Sequence, residues 1–133
     1  MRIIVNIDVP ELSQAIEFYT AALGLKHSRT LDEEVAELSG AASVICLLQN
    51  ASGSNVASTL SEARGYSRHW TPVHIDFVVD DLEKATARAL GAGATRESER
   101  IEWHGSKCIT FSDPFGHGFC LIEFAGETYS ENG

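Results

Sequence analysis

The sequence predicts an α+β domain made of two βαβββ modules, and two observations lead to that prediction. The stretch Ile4-Val5-Asn6-Ile7-Asp8-Val9-Pro10-Glu11-Leu12 returns seventy positions later as His74-Ile75-Asp76-Phe77-Val78-Val79-Asp80-Asp81-Leu82. Each copy alternates as a strand does and then passes into helical spacing, and three further strand-like segments follow each helix. The repeat also sets unequal residues in matching places, since Ile4 of the first copy stands where His74 stands in the second.

Residues 3–9 alternate and end at Pro10, which suits a first helical turn because its missing N–H would have no partner there. Leu12, Ile16, Tyr19 and Leu23 keep helical spacing, Ala15, Phe18 and Ala22 widen the stripe, and Gly24 is the expected stop. Residues 25–30, 34–39 and 43–49 read as three short strands, with turns near Leu31-Asp32-Glu33 and Gly40-Ala41-Ala42. Residues 50–61 are small and polar, a linker by composition, and Arg64, Tyr66, Arg68, His69 and Trp70 crowd together before Pro72. Asp80 offers a cap for the second helix, with Glu83 completing a capping box. Leu82, Ala85, Ala89 and Ala92 form a thinner stripe that Gly91 and Gly93 end. Residues 95–103, 107–112 and 118–124 supply three more strands, and Asp113-Pro114-Phe115-Gly116 has the preferences of a type I turn. One domain is expected over 1–126, with module one at 1–50, a linker at 51–72, module two at 73–126 and a loose tail at 127–133.

Composition narrows the functional classes. At 133 residues, 44% hydrophobic and 22% charged, the chain has the profile of one globular domain with a real core. A net charge of −9 argues against nucleic acid, whose phosphates require clustered Lys and Arg. The same charge serves solubility, and it would tolerate a cationic small molecule better than an anionic one. No apolar run reaches membrane-spanning length, and the opening Met1-Arg2-Ile3-Ile4-Val5 reads as too short for a signal peptide. Cys46, Cys108 and Cys120 are odd in number and irregular in spacing, so no disulfide framework is expected and a cytoplasmic location is.

Two βαβββ units, the Phe18-Tyr19…Leu23-Gly24-Leu25 sequence of the first helix and the Asp113-Pro114-Phe115-Gly116 turn together resemble the vicinal oxygen chelate superfamily. This is the glyoxalase, bleomycin-resistance and ring-cleaving dioxygenase group, and the likeness spans roughly residues 3–124. The resemblance implies modules whose mixed sheet curls into a cup, commonly completed by homodimerisation, around a small organic ligand. In metal-dependent members four positions, mostly His and Glu, lie on the first and last strands of each module and hold a divalent ion. Those positions fall here on Ile4, Cys46, His74 and Cys120, of which His74 alone has the expected residue. Glu123 is out of parity with Cys120 and faces the other side of its strand. Missing carboxylates also remove a base that glyoxalase-type members use to move the substrate proton.

Asn6, Asp8 and Asp76 share parity with Ile4 and His74 and should face one side. His74, Asp76 and Asn6 are therefore read as a polar pocket lining; the alternative is a hydrogen-bond cluster tying the modules together. Cys46 and Cys120 occupy equivalent places in the repeat and with His74 would make a Cys2His set suited to zinc. The expectation is instead that both are small apolar residues in packed strands, and that Cys108 is core. Tyr66, His69, Trp70, Trp103 and His104 are candidate mouth residues, with Trp103-His104-Gly105 as a hairpin tip and Trp70 alternatively packing the linker on the sheet.

The expected ligand-binding set is His74, Asp76, Asn6, Cys46, Cys120 and Trp103, with no metal ligand and no catalytic residue assigned. The expected function is metal-free binding of a small organic molecule in the cup. A second reading is a lyase, isomerase or dioxygenase, either with His74 and Asp76 as acid and base or with a zinc, nickel or iron ion on Cys46, His74 and Cys120. The third is a dimeric interaction module with a vestigial cup. No cofactor, nucleic-acid or membrane partner is expected.

Overall fold

Residues 1–56 and 62–132 are described by a computed structural model, which divides at Ser67 into units of residues 1–67 and 68–133. Alternation makes β1 (Ile4–Val9), and helical spacing makes α1 (Leu12–Leu23). Then come β2 (Lys26–Leu31), β3 (Val35–Ser39) and β4 (Val44–Gln49). The sheet order is β1-β4-β3-β2, with β1 parallel to β4 and the other pairs antiparallel. Leu12, Ala15, Phe18, Tyr19 and Ala22 bury one stripe of α1, which packs on β3 and β4, where Ala36, Leu38, Ile45 and Leu47 are buried. Asp32 and Glu33 take positive φ in the β2–β3 turn, in the segment where a turn was expected.

Pro10 is not the first helical residue. The cap is Glu11, in extended conformation, whose carboxylate accepts from the N–H groups of Ser13 (3.3 Å) and Gln14 (2.9 Å). The Gln14 N–H, and next the Ser13 hydroxyl, which also donates to this carboxylate, hold it below the usual carboxylate range. The N–H of Leu12 is taken by Gln49 Oε1 at 2.8 Å, a donor that a helix start would otherwise leave unsatisfied. Gly24 does stop the helix, at φ 69°.

The second unit repeats the plan: β5 (Ile75–Val78), α2 (Leu82–Ala92), β6 (Thr95–Arg96), β7 (Ile101–Trp103), β8 (Ser106–Ser112) and β9 (Gly118–Phe124). β5 runs parallel to β9, β9 pairs β8, and both β6 and β7 pair β8 antiparallel. Leu82 and Ala89 of α2 lie buried with Ile109, Phe111, Phe119 and Leu121 of the sheet.

Three local expectations are corrected here. The cap of α2 is Asp81, not Asp80: its Oδ1 accepts from Lys84 N–H at 3.1 Å, while Glu123 Oε1 takes the N–H of Leu82 at 2.8 Å. Glu123 thereby does for α2 what Gln49 does for α1, and a capping box with Glu83 has no place. Gly91 lies inside the helix, which Gly93 ends at φ 112°. The strand expected over 95–103 is two strands, because Arg96 pairs Phe111 and the next pair is Ile101 with Cys108. The extra residues leave the ladder, and Ser98 Oγ accepts the N–H of Thr110 at 2.9 Å.

Residues 57–61 of the expected linker lie outside the described residues. On either side, Asn55 bridges Ala63, Gly53 N–H donates to Arg64 O at 2.7 Å, and Arg64 N–H donates to Ser54 O at 2.8 Å. Asp8 anchors this segment, accepting from Arg64 Nε at 2.8 Å and Asn50 Nδ2 at 2.9 Å. The tail also makes contacts: Ser130 N–H donates to His104 O at 2.7 Å, and the Tyr129 ring sits on Trp103 and Phe124.

Candidate functional site

In each unit the last strand carries odd-numbered or even-numbered side chains to one face only. Glu123 reaches α2, so Gly118, Cys120 and Ile122 face away from the helix. Asp76 lies opposite Cys120 in the parallel ladder, and Cys120 lies opposite Thr110 in the antiparallel one. His74, two residues before Asp76, shares its side: His74 Nε2 is 3.2 Å from Asp76 Oδ1. The donor atoms of His74, Asp76 and Cys120 all lie within 4.8 Å of one another. His74 and Asp76 are about one-third exposed, and Cys120 is buried.

One wall of this group comes from the segment before β5. The Trp70 ring tilts over His74 with centroids 4.8 Å apart, and the Arg68 guanidinium lies 5.3 Å from the Trp70 centroid. Arg68 is itself ion-paired with Glu97. Gly118 makes the seat for this segment, since a Cβ there would collide with the Trp70 ring and with the Arg68 side chain. A glycine inside a strand pattern is the sequence signal for such close approach.

The thiols are held protonated. Burial pushes the Cys120 thiol up, and the Asp76 charge adds to it while the Thr110 hydroxyl, 3.5 Å away, opposes it. Burial, with Cys120 next, pushes Cys108 to about 12. Neither is therefore a thiolate nucleophile near neutrality. What the exposed pair can do is hydrogen-bond or exchange a proton, with Asp76 orienting the imidazole.

The first unit carries the matching row with different chemistry. Asn6 is opposite Cys46, Cys46 opposite Glu37, and Glu37 opposite Arg29 across four strands. Arg29 grips Glu37 through Nε (2.6 Å) and Nη2 (3.0 Å), which holds the Glu37 carboxyl low. Burial raises the Cys46 thiol, helped by Glu37. Register thus puts Cys46 and Cys120, and Asn6 and Asp76, at equivalent places of the two units.

Of the sequence-expected residues, His74, Asp76 and Cys120 come together in the second unit, while Asn6 and Cys46 sit side by side in the first. Trp103 is not brought to His74. It packs with His104 and Tyr129 at the β7–β8 hairpin, several rungs along and across the sheet from β5. His104 (φ 45°) and Gly105 (φ 74°) form the tip of that hairpin as expected. Tyr66 donates its hydroxyl to Asn50 O at 2.6 Å within the first unit. Trp70 lies on the sheet, the alternative given for it, and also against His74. Sequence reasoning missed Arg68, Glu97, Gly118 and the Arg29–Glu37 pair beside Cys46.

The four positions that metal-dependent members use do not fit the His/Glu pattern here. Ile4 has no donor atom, and Cys46 and Cys120 replace carboxylates. The soft set Cys46/His74/Cys120 draws on both units, whereas the group that converges within one unit has Asp76 in place of Cys46.

Two mixed sheets, each from a βαβββ unit with one helix, define a vicinal oxygen chelate fold. A family model for the glyoxalase-like domain matches residues 4–122, and the chain belongs to that family. Solved structures share its fold. A hypothetical protein from S. aureus superposes with TM-score 0.73 at 19% identity, covering 92% of this chain and 93% of its own. A genomically encoded fosfomycin resistance protein from Listeria monocytogenes gives 0.70 at 20% identity, covering 96% and 95%. A lactoylglutathione lyase from Agrobacterium tumefaciens gives 0.63 at 18% identity, covering 92% of each chain. No curated protein matches the sequence.

Among the described residues no helix is long and apolar enough to cross a membrane.

Proposed function

We propose that this protein binds a small organic molecule on the face of its second unit that carries His74 and Asp76, without the metal set usual in its family. The observation that carries the reading is the 3.2 Å His74–Asp76 pair, about one-third exposed beside the Trp70 ring. An aromatic plane next to a hydrogen-bonding pair is what fixes a small ligand in place and orientation. The net charge of −9 favours a cationic ligand. Three free thiols suit a reducing, cytoplasmic setting, and a second copy of the chain is the partner proposed to complete the binding surface.

The same pair supports a second reading, an enzyme in which His74 and Asp76 carry a proton to and from the ligand. Thermal shift and NMR titration with bleomycin, fosfomycin and S-lactoylglutathione test both. Binding that perturbs His74, Asp76 and Trp70 and is lost in His74→Ala supports the first reading. Turnover abolished by His74→Ala supports the second. Binding that maps elsewhere, or none across the panel, sinks both and favours an interaction module.

A further inference from the structure

We infer that His74, Asp76 and Cys120 form a site for a zinc-like divalent cation, built within one βαβββ unit and using a carboxylate outside the four positions of the family. The inference goes beyond the ligand reading and is tested apart from it. Three donors of three kinds converge: an imidazole nitrogen, a carboxylate oxygen and a sulfur, all within 4.8 Å of one another, with the His74–Asp76 edge at 3.2 Å. A tetrahedral ion bound at about 2.0–2.3 Å needs donor–donor edges of about 3.3–3.8 Å. One edge is already near that length, and the others close by about 1.5 Å at most, within reach of side-chain rotation.

The scaffold favours such closure. Asp76 lies in β5 as the direct ladder partner of Cys120, and His74 immediately precedes the strand, two residues from Asp76, so the set is assembled at one strand start. Trp70 packs on the imidazole and restricts its swing, and the Thr110 hydroxyl, 3.5 Å from Cys120 Sγ, can donate to a thiolate. Arg68, the cation nearest Trp70, is neutralised by Glu97. An N/O/S donor set selects against magnesium and calcium, which take oxygen alone, and for zinc or cobalt. Three protein donors leave a fourth position to an oxygen of a bound molecule, as in catalytic rather than structural zinc sites.

The test is titration of the full chain, reduced with a non-chelating phosphine, with Zn²⁺ against a chromophoric chelator and with Co²⁺ by absorption spectroscopy. One equivalent of each metal is expected, and Co²⁺ should give tetrahedral ligand-field bands with a thiolate-to-cobalt charge-transfer band. Cys120→Ser should abolish that band. Because second-shell changes alone cost about 10–100-fold, Cys120→Ser, His74→Ala and Asp76→Asn should each weaken binding by more than about 100-fold. Cys46→Ser should keep both spectrum and affinity, and circular dichroism verifies that each variant is folded. No uptake at equimolar metal, a charge-transfer band that survives in Cys120→Ser, or one lost in Cys46→Ser would overturn the inference. Affinity unchanged in folded Asp76→Asn would do the same.

Discussion

Gly118 leaves open the volume that the Trp70 ring occupies, and a methyl group on its Cα would strike the indole and Arg68. Gly118→Ala should therefore cost about 1–3 kcal/mol, the usual penalty of overpacking. In a Trp103→Phe background the remaining Trp70 emission should shift to the red as the ring moves into water. Adding Trp70→Ala should recover most of the lost stability, because the clash goes with the ring. Urea denaturation of the two variants separates this from a backbone effect, which Trp70→Ala could not repair.

The matching roles of Gln49 and Glu123 give a second expectation. Each offers a side-chain oxygen to the first N–H of the helix in its own unit, at 2.8 Å in both cases. An amide oxygen suffices in the first unit, so Glu123→Gln should change stability by less than about 0.5 kcal/mol. Glu123→Ala, which orphans the Leu82 N–H, should cost about 0.5–2 kcal/mol, as helix caps do. Equal losses in both variants would mean that charge, through Lys107 at 3.8 Å, matters more than the acceptor.

Glu97 predicts a pH dependence. Its hydrogen bond to Arg68 holds the carboxyl below its ordinary value of 4.5, against the opposing effect of burial. A carboxyl depressed in the folded state adds stability that is complete above the unfolded value and lost as pH falls through the folded one. The pair is partly exposed, so the difference between wild type and Glu97→Gln should be about 0.2–1 kcal/mol at pH 7. Chemical denaturation at pH 7 and pH 3 should show that gap narrowing with acid; a gap that is constant with pH would trace it to packing instead.

The thiols predict a reactivity pattern. With Cys108 raised to about 12 and Cys46 and Cys120 also raised by burial, alkylation by iodoacetamide at pH 8 should be far slower in the native protein than in urea. Mass spectrometry of peptides reads each cysteine separately. Fast native labelling of Cys120 would show an accessible thiolate and would support nucleophilic chemistry there.

Much of this was legible in the chain. Strand alternation set His74 with Asp76 on one side of their strand and Glu123 opposite Cys120 on theirs, because a period of two depends on counting alone. The pairing of Cys120 with Asp76 needed the resemblance and the ladder register. Helix starts were less legible, since Asp80 and Asp81 are equally good caps and only the long-range bond from Glu123 distinguishes them. At the break over residues 97–100 the Ser98 hydroxyl takes the N–H of Thr110 on β8, a bond across the sheet that local sequence does not show. Trp103 and Trp70 looked alike as aromatic residues near turns. Gly118, forty-eight positions beyond Trp70, decides that one lies beside His74.

The closing strand of each unit has a further consequence. Cys46 and Gln49, like Cys120 and Glu123, stand three places apart and so look to opposite faces of the sheet, the cysteine away from the helix and its neighbour toward the helix start. Changes on the first side leave the second undisturbed. A chain built this way keeps the residues that set the chemistry of its sheet face apart from those that start its helices.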